Sequence, residues 1–180
     1  TRIRGVGRRG KLLILHFGED GPEADGVKEI AVPTDAGQWP LFYSVAGIEQ
    51  GRLPLVGKTP EEVTALAFHL RMTGRLFVYP QGIEPGKHTR VIFDLDDGRR
   101  LFFDDTRKFG QARALCGKEL DGWKFWRKLG PEPLEAKPEA FASLFKSRKA
   151  VKALLLDQSV LAGVGNIYAD ESLFRAGIRP

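Results

Sequence analysis

The dipeptide Asp97-Gly98, which lies between two apolar runs, constrains the fold of this chain more than any other short segment. The runs cover residues 91–96 and 99–103, and each has the length and apolar content of a β-strand. The pair favours a type I′ turn, because both central residues of that turn need a positive φ. The sequence therefore predicts an antiparallel hairpin. Three other segments have strand character: residues 11–17, 76–79 and 109–115.

The pattern changes from β-type to helical after residues 131–133. Pro138 fits the first position of a helix that reaches Lys146, and Ser147 fits the N-cap of the next helix. Apolar residues then recur at helical spacing over 150–161. The chain is β-rich first and helical last, which predicts an α+β fold.

A break at residues 163–165 contains two glycines and precedes Asn166, which is predicted to cap a last helix that ends near Gly177. Glycines allow a ligand to approach the backbone closely, and free N–H groups at a helix N-terminus bind anions, so this unit suits a phosphate. A dinucleotide-binding fingerprint is disfavoured, because that motif follows a strand. The structural alternative is a plain turn between two helices.

Residues 59–70 leave two structures open. Thr59 as N-cap and Glu62 as its capping-box partner predict the start of a helix, whereas the apolar residues over 63–70 also suit a strand. The single cysteine, Cys116, excludes an intramolecular disulfide and a cysteine-rich zinc site built from this chain alone. No apolar run approaches the length of a membrane span. A reducing cytoplasm, with no membrane partner, is the expected location.

Charge is distributed unevenly, although the net charge is only +5. Residues 1–17 contain five basic and no acidic residues, whereas residues 18–64 contain three basic and nine acidic ones. The rest of the chain is basic again. A basic scaffold is compatible with a polyanionic partner, and an ordinary solvated surface is the alternative. The acidic segment 18–64 is interpreted as an insertion or lid.

Five blocks, in order along the chain, resemble the formamidopyrimidine-DNA glycosylase family, the base-excision enzymes that include endonuclease VIII. The longest is LDQSVLAGVGNIYADE at 156–171, which resembles the family's helix-two-turn-helix. The others are RRGK at 8–11, HLRMTG at 69–74, DTRKFG at 105–110 and LGPEPL at 129–134, with Lys87-His88 before a strand. The resemblance covers residues 1–17 and 65–180 and favours the formamidopyrimidine branch.

This resemblance implies a β-sandwich-type N-terminal domain over residues 1–135, with 18–64 as an acidic insertion, and a helix-two-turn-helix DNA-binding segment over 136–180. Both are expected to be incomplete. The family's N-terminal proline and adjacent glutamate have no counterpart at Thr1, and its four-cysteine zinc finger is absent from the sequence. The chain is therefore expected to be the inactive central part of a longer bacterial enzyme, with no cofactor of its own and with one structural zinc in the parent.

The parent enzyme, by the same resemblance, excises oxidised purines such as 8-oxoguanine and formamidopyrimidines from double-stranded damaged DNA. It flips the damaged base out of the duplex, forms a Schiff base at the sugar and cleaves the strand by β,δ-elimination. It is expected to be a monomer in the bacterial cytoplasm, associated with the nucleoid. The alternative is a non-catalytic nucleic-acid-binding helix-two-turn-helix module. A third interpretation treats 18–64 as an insertion that contacts a protein partner.

The resemblance also implies roles for individual residues. Lys11 matches a catalytic-site lysine that contacts the lesion strand and assists proton transfer. Met72, Arg107 and Phe109 match the side chains that fill the gap left by the flipped nucleotide, which needs an apolar wedge and an arginine donor. The DNA-binding positions are His88, Arg107, Lys152, Gly165 and Asn166. The structural alternatives are a flanking strand lysine for Lys11, core packing for Met72 and Phe109, and a satisfied histidine for His88. No metal ligand is predicted.

Four positions depart from the family pattern. Arg71 stands where the family has glycine, before Met72, and Ser147 stands where a DNA-contacting lysine is expected. Thr106 and Lys108 replace a proline and an arginine. Arg71 is expected to alter the loop that carries Met72. Ser147 is expected to weaken the affinity for phosphate by one charge.

Overall fold

The computed structural model describes residues 3–17, 28–30, 41–44, 62–95, 98–144 and 148–179. The strands are β1 (Ile3–Arg9), β2 (Leu12–Phe17), β3 (Lys28–Ile30), β4 (Leu41–Ser44), β5 (Val63–His69), β6 (Gly74–Tyr79), β7 (Thr89–Leu95), β8 (Arg100–Asp105) and β9 (Gln111–Cys116). The helices are α1 (Glu119–Gly122), α2 (Lys124–Arg127), α3 (Pro138–Leu144), α4 (Val151–Leu156) and α5 (Asn166–Arg175). In the described ranges no helix is both long enough and apolar enough to cross a membrane.

The chain forms two compact units. Unit 1 combines Thr1–Arg8 with Leu12–Leu120, and unit 2 combines Arg9–Lys11 with Asp121–Pro180. Unit 1 therefore contains all the strands apart from the last residue of β1, whereas unit 2 contains α2 to α5 and the turn between β1 and β2.

Unit 1 is built from two sheets, with strand orders β3-β1-β2-β5-β9 and β4-β7-β8-β6. Phe68 in β5 is fully buried and contacts Phe93 and Phe103 of the other sheet edge-on, at ring-centroid distances of 5.9 and 5.6 Å. Apolar side chains of both sheets form one core: Leu15, Phe17, Val63, Leu66, Phe68, Val91, Phe93, Leu101, Phe103 and Ala114. The sheets thus pack face to face, which confirms the predicted sandwich within an α+β fold.

The predicted hairpin is confirmed by the antiparallel pairing of β7 with β8, in which Ile92 lies opposite Phe102. Gly98 has a φ of 83°, and its N–H donates to the Leu95 carbonyl at 3.1 Å. Asp97 lies outside the described residues, so the type I′ geometry stays a prediction. Strands β2, β6 and β9 confirm the other three predicted strands, with β9 beginning at Gln111.

The alternatives left open for residues 63–70 resolve in favour of a strand. In β5, which lies between β2 and β9, only Thr64 is exposed, so both faces of the strand are covered. A strand covered on both faces loses its apolar alternation, and its sequence cannot be told from that of a buried helix. Thr59, the predicted N-cap, lies outside the described residues.

Strand β1 was not predicted. Its sequence, IRGVGRR, contains two glycines and three arginines, which weaken the apolar signal of a strand. The segment 18–64 supplies two further short strands. The backbone of β3 pairs with β1 and that of β4 pairs with β7, each at an edge of its sheet. Most of the segment lies outside the described residues, and its interpretation as an insertion stays a prediction.

In unit 2, α3 begins at Pro138, as predicted. The next helix begins later than predicted, at Val151, with Ala150 at its N-cap, so the N-cap role of Ser147 was wrong. Ser147 itself lies outside the described residues, as does Lys146. The helix also ends earlier than predicted, at Leu156, because the Asp157 carboxylate accepts hydrogen bonds from the N–H and hydroxyl of Ser159 and turns the chain.

Helix α5 begins at Asn166, and Gly165 is its N-cap, with φ −110° and ψ 176°. The prediction of Asn166 as N-cap was therefore wrong by one residue. The helix ends near Gly177, as predicted. Gly177 has a φ of 66°, and the N–H of Ile178 donates to the Leu173 carbonyl at 3.0 Å, which is the pattern of a Schellman motif.

Candidate functional site

Three of the predicted site residues in unit 1 lie together on its surface. The Met72 side chain is 74% exposed and that of Phe109 is 54% exposed. Between them, Arg107 places Nη1 3.1 Å from Met72 Sδ and its guanidinium carbon 4.8 Å from the centre of the Phe109 ring. The exposure of both apolar side chains excludes the alternative that they are core residues. We call these three side chains the probe cluster.

The probe cluster is carried by two neighbouring loops, the Met72 turn (residues 70–74) and the Arg107 loop (residues 105–110). Asp105, only 1% exposed, joins them. Its Oδ1 accepts hydrogen bonds from the Thr73 hydroxyl and, at 3.2 Å, from the Arg107 N–H, while Oδ2 accepts the Gly110 N–H at 2.6 Å. Sequence reasoning did not single out Asp105. The available signal was an aspartate that starts a loop, because such a residue often bonds the backbone N–H two residues on.

Both loops contain backbone that amino acids other than glycine rarely adopt. Arg71 has a φ of 52° and Lys108 a φ of 60°, and among the described residues no other non-glycine has a positive φ. Such a conformation costs about 1–3 kcal/mol and is maintained only where the surroundings impose it. The Arg71 N–H donates to His69 Nδ1 at 3.2 Å, which helps to hold the first of these residues. One strained residue thus lies directly before Met72, and the other lies between Arg107 and Phe109.

Glycine is required at the end of the Arg107 loop. A Cβ added to Gly110 would lie 2.7 Å from Phe103 Cζ and 3.0 Å from Asp105 Oδ2. Gly74 is similarly restricted, because an added Cβ would collide with the backbone of Leu70. The close approach at Gly110 lets Asp105 Oδ2 reach the backbone of the Arg107 loop, and the one at Gly74 lets its N–H close the Met72 turn on the Leu70 carbonyl at 2.8 Å.

The hydrogen bonds around Asp105 determine its ionisation. Burial alone would raise the pKa of this carboxyl, but the bonds from Thr73 and from the backbone N–H groups of Gly110, Arg107 and Phe109 outweigh burial and lower the pKa below its ordinary value. Asp105 is therefore a carboxylate at neutral pH, and four hydrogen-bond donors stabilise its negative charge.

We predict that Asp105→Asn lowers the free energy of unfolding at pH 7 by about 1–2 kcal/mol, because the amide nitrogen cannot accept the Gly110 N–H. Because the folded pKa is the lower one, the contribution of the carboxylate is complete above the unfolded pKa and is lost as the pH falls through the folded pKa. The stabilities of the two proteins should therefore converge on acidification. Urea unfolding at a series of pH values measures this, and a constant difference down to pH values below the folded pKa would contradict it.

His88 lies beside the same loop. It is half-buried, and its carbonyl accepts the Asp105 N–H at 2.9 Å. Two residues on, Arg90 Nε donates to the Asp105 carbonyl at 2.9 Å. The structure thus brings His88 to the loop that carries Arg107, and its phosphate-binding role stays a prediction.

In unit 2, Lys11 lies next to the N-terminus of α5. Lys11 Nζ is 3.9 Å from the point that a Cβ on Gly165 would occupy. Gly10, with φ 58°, precedes it in the turn between β1 and β2, and the buried Gly10 N–H donates to a carboxylate oxygen of Glu132. The adjacent Arg9 guanidinium stacks 4.5 Å from the centre of the Trp126 ring. The turn that carries Lys11 is therefore anchored on both sides.

The N-terminus of α5 offers donors for an anion. No side chain caps it, its first turn contains no acidic residue, and Asn166 is exposed at its first position. Gly163, with φ 96°, shapes the preceding turn, and Gln158 stabilises it by accepting the Gly163 N–H at 2.9 Å and donating to the Val164 carbonyl at 3.0 Å. Together with the Lys11 ammonium group, this helix start has the chemistry that suits an anionic group such as a phosphate, and its DNA-binding role stays a prediction.

Lys152 has a different neighbour. Its Nζ lies 2.6 Å from Asp170 Oδ1, an ion pair that links α4 to α5. The structure thus places Lys152 against the helix that carries Asn166, and its DNA-binding role stays a prediction. Within the described ranges, no group of three or more histidine, cysteine, aspartate or glutamate side chains could hold a metal ion.

Comparison with protein families gives two matches. The model of the formamidopyrimidine-DNA glycosylase N-terminal domain matches residues 1–112, a range that includes the segment 18–64, and the model of the formamidopyrimidine-DNA glycosylase H2TH domain matches residues 129–180.

Curated relatives and solved structures agree. A formamidopyrimidine-DNA glycosylase of Nitratidesulfovibrio vulgaris is 63% identical over 67% of this chain and 33% of its own length, and one of Roseiflexus sp. is 52% identical over 64% of this chain and 42% of its own. Two solved structures are each 27% identical to this chain, with a TM-score of 0.66, and each covers 99% of it. One is MutM in complex with DNA containing carbocyclic 8-oxo-G, of which this chain covers 52%. The other is Lactococcus lactis Fpg in complex with abasic-site DNA, of which it covers 51%. The chain thus spans less than half of these curated relatives.

Proposed function

The chain belongs to the formamidopyrimidine-DNA glycosylase family, and from this premise we propose that it binds double-stranded DNA at a damaged base, as part of a base-excision repair glycosylase. The observation that carries the proposal is the probe cluster, in which two exposed apolar side chains flank an arginine. Their clustering around one arginine carries the argument, because apolar side chains that are exposed together are typical of an interaction site, whereas scattered ones need no explanation.

The probe cluster has the chemistry that base flipping requires. An enzyme that acts on a base within a duplex must take that base out of the stack, which costs a few kcal/mol and leaves a gap. Met72 and Phe109 supply apolar surface to fill the gap and stack on the neighbouring bases. Arg107 supplies N–H donors that can bond the edge of the orphaned partner base.

Unit 2 supplies a phosphate site for the same proposal. The ammonium group of Lys11, the uncapped N–H groups at the start of α5 and the Asn166 amide all suit a phosphate of the DNA backbone. A phosphate contact positions the protein without reading sequence, as an enzyme that searches all DNA for damage requires.

For the complete protein we propose the finer steps as well. They are excision of oxidised purines, Schiff-base formation at the sugar and strand cleavage by β,δ-elimination. The proposal further places the protein in the bacterial cytoplasm as a monomer, with domains over 1–135 and 136–180. In it, the segment 18–64 contacts a protein partner. A structural zinc in the complete protein would need ligands other than those described here. With one cysteine in its sequence, this chain does not supply a four-cysteine site.

The test compares binding of the chain to two duplexes of one sequence, one intact and one with a single tetrahydrofuran abasic analogue. We expect the abasic duplex to bind about tenfold more tightly, because its gap needs no base to be flipped. We also expect the affinity to fall with salt, with a log–log slope of about −0.9 for each phosphate neutralised. Equal, salt-dependent affinities would favour the non-catalytic module, and no measurable binding would contradict both.

A further inference from the structure

The buried Asp105 carboxylate forms hydrogen bonds with both loops of the probe cluster. On one side it accepts the hydroxyl of Thr73, the residue that follows Met72. On the other side it accepts the backbone N–H groups of Arg107 and Gly110, which bracket the loop that carries Phe109. The Thr73 hydroxyl oxygen also accepts the Arg107 N–H at 3.3 Å, so this hydroxyl bonds both the Asp105 carboxylate and the Arg107 backbone.

We propose that Asp105 and Thr73 are positioning residues that hold the two loops at the separation which places Arg107 between Met72 and Phe109. The inference rests on the proposed function for its consequence in DNA binding, but the positioning itself is a property of the free protein. Neither residue is placed to touch DNA, because Asp105 is buried and Thr73 turns its hydroxyl towards Asp105.

The arrangement explains why two non-glycine residues keep a positive φ. Arg71 lies two residues before Thr73, and Lys108 lies directly after Arg107 and two residues before Gly110, so each is close to a group that bonds the carboxylate. Without hydrogen bonds to this carboxylate, each loop could relax to an ordinary backbone conformation. A positive φ at a non-glycine residue is unfavourable and persists only where surrounding contacts impose it. The flexible, unbranched Met72 depends on its backbone for its position, since few other contacts fix a side chain that is 74% exposed.

Thr73 offers a test that leaves Asp105 in place. Thr73→Val keeps the shape of the side chain and removes the hydroxyl, whereas Thr73→Ser keeps the hydroxyl and is the matched control. Met72 is the only methionine in the sequence, so ¹³C-methyl-methionine labelling, with any initiator methionine removed, gives one reporter beside the Phe109 ring. We expect Thr73→Val to move this methyl resonance towards that of free methionine, and Thr73→Ser to leave it in place.

The second readout is the affinity for the tetrahydrofuran duplex relative to the intact duplex. We expect Thr73→Val to reduce this preference about fivefold, as loss of one ordinary hydrogen bond implies, and Thr73→Ser to retain it. An unchanged methyl resonance in Thr73→Val would overturn the positioning role whatever the DNA data show. A shifted resonance in a chain that does not discriminate between the duplexes would support positioning and contradict the proposed function.

Discussion

Replacing Arg107 by alanine is expected to reduce the affinity of the chain for abasic-site DNA by roughly 10- to 100-fold, because a well-placed arginine contact with a base edge is worth about 1–3 kcal/mol. Its guanidinium is the only donor in the probe cluster, and it also lies between the two apolar side chains. The substitution therefore removes the proposed contact with the orphaned base, together with the contacts that Arg107 makes with Met72 and Phe109. Fluorescence anisotropy with a labelled tetrahydrofuran duplex measures the change.

Lys108→Asn provides the matched control. It removes one positive charge from the same loop, and asparagine tolerates the positive φ of this position better than alanine. Loss of the Lys108 charge should weaken binding to intact and abasic duplexes equally, because only electrostatic attraction to the DNA phosphates is reduced. If Arg107→Ala weakened binding to both duplexes by one common factor, as the control should, Arg107 would be a phosphate contact and not a probe of the base.

The parts of the fold that the sequence predicted well are those with a local signal. Asp97-Gly98 predicted the pairing of β7 with β8, and Pro138 predicted the start of α3, because turns and helix starts depend on the residues that form them. β5 remained open, since its side chains are buried on both faces and its sequence therefore lacks the apolar alternation that marks a strand. The N-cap of α5 was misplaced by one residue because Gly165 adopts an extended backbone conformation that side-chain preferences do not reveal.

The candidate site divides in the same way. Met72, Arg107 and Phe109 were predicted from short motifs, and they lie together in the structure. Asp105 and Glu132 were not predicted, because each acts on a partner that is distant in sequence. Asp105 bonds Thr73, 32 residues away, and Glu132 bonds Gly10, 122 residues away. A motif identifies the residues that contact a ligand, whereas the residues that hold them become visible only once the chain is folded.

Glu132→Ala is expected to lower the free energy of unfolding by about 2–3 kcal/mol, because a hydrogen bond from a buried donor to a charged acceptor is worth more than an ordinary one. Glu132 is 9% exposed, and its carboxylate accepts the buried N–H of Gly10, whose positive φ turns the chain towards Lys11. A Cβ on Gly10 would lie 3.3 Å from Ala162 Cβ, so the turn is packed closely and has little room to find another acceptor. Urea unfolding measures the loss.

Glu132→Gln separates the hydrogen bond from the charge. Its amide oxygen can still accept the Gly10 N–H, so we expect it to recover more than half of the stability that alanine loses. The functional consequence follows from the position of Lys11 beside Gly165. If Glu132 anchors the turn, alanine should weaken binding to intact and abasic duplexes by the same factor, because it displaces the proposed phosphate contact of Lys11 and leaves the probe cluster unchanged. A glutamine variant as unstable as alanine would show instead that the negative charge, and not the bond to Gly10, stabilises this part of unit 2.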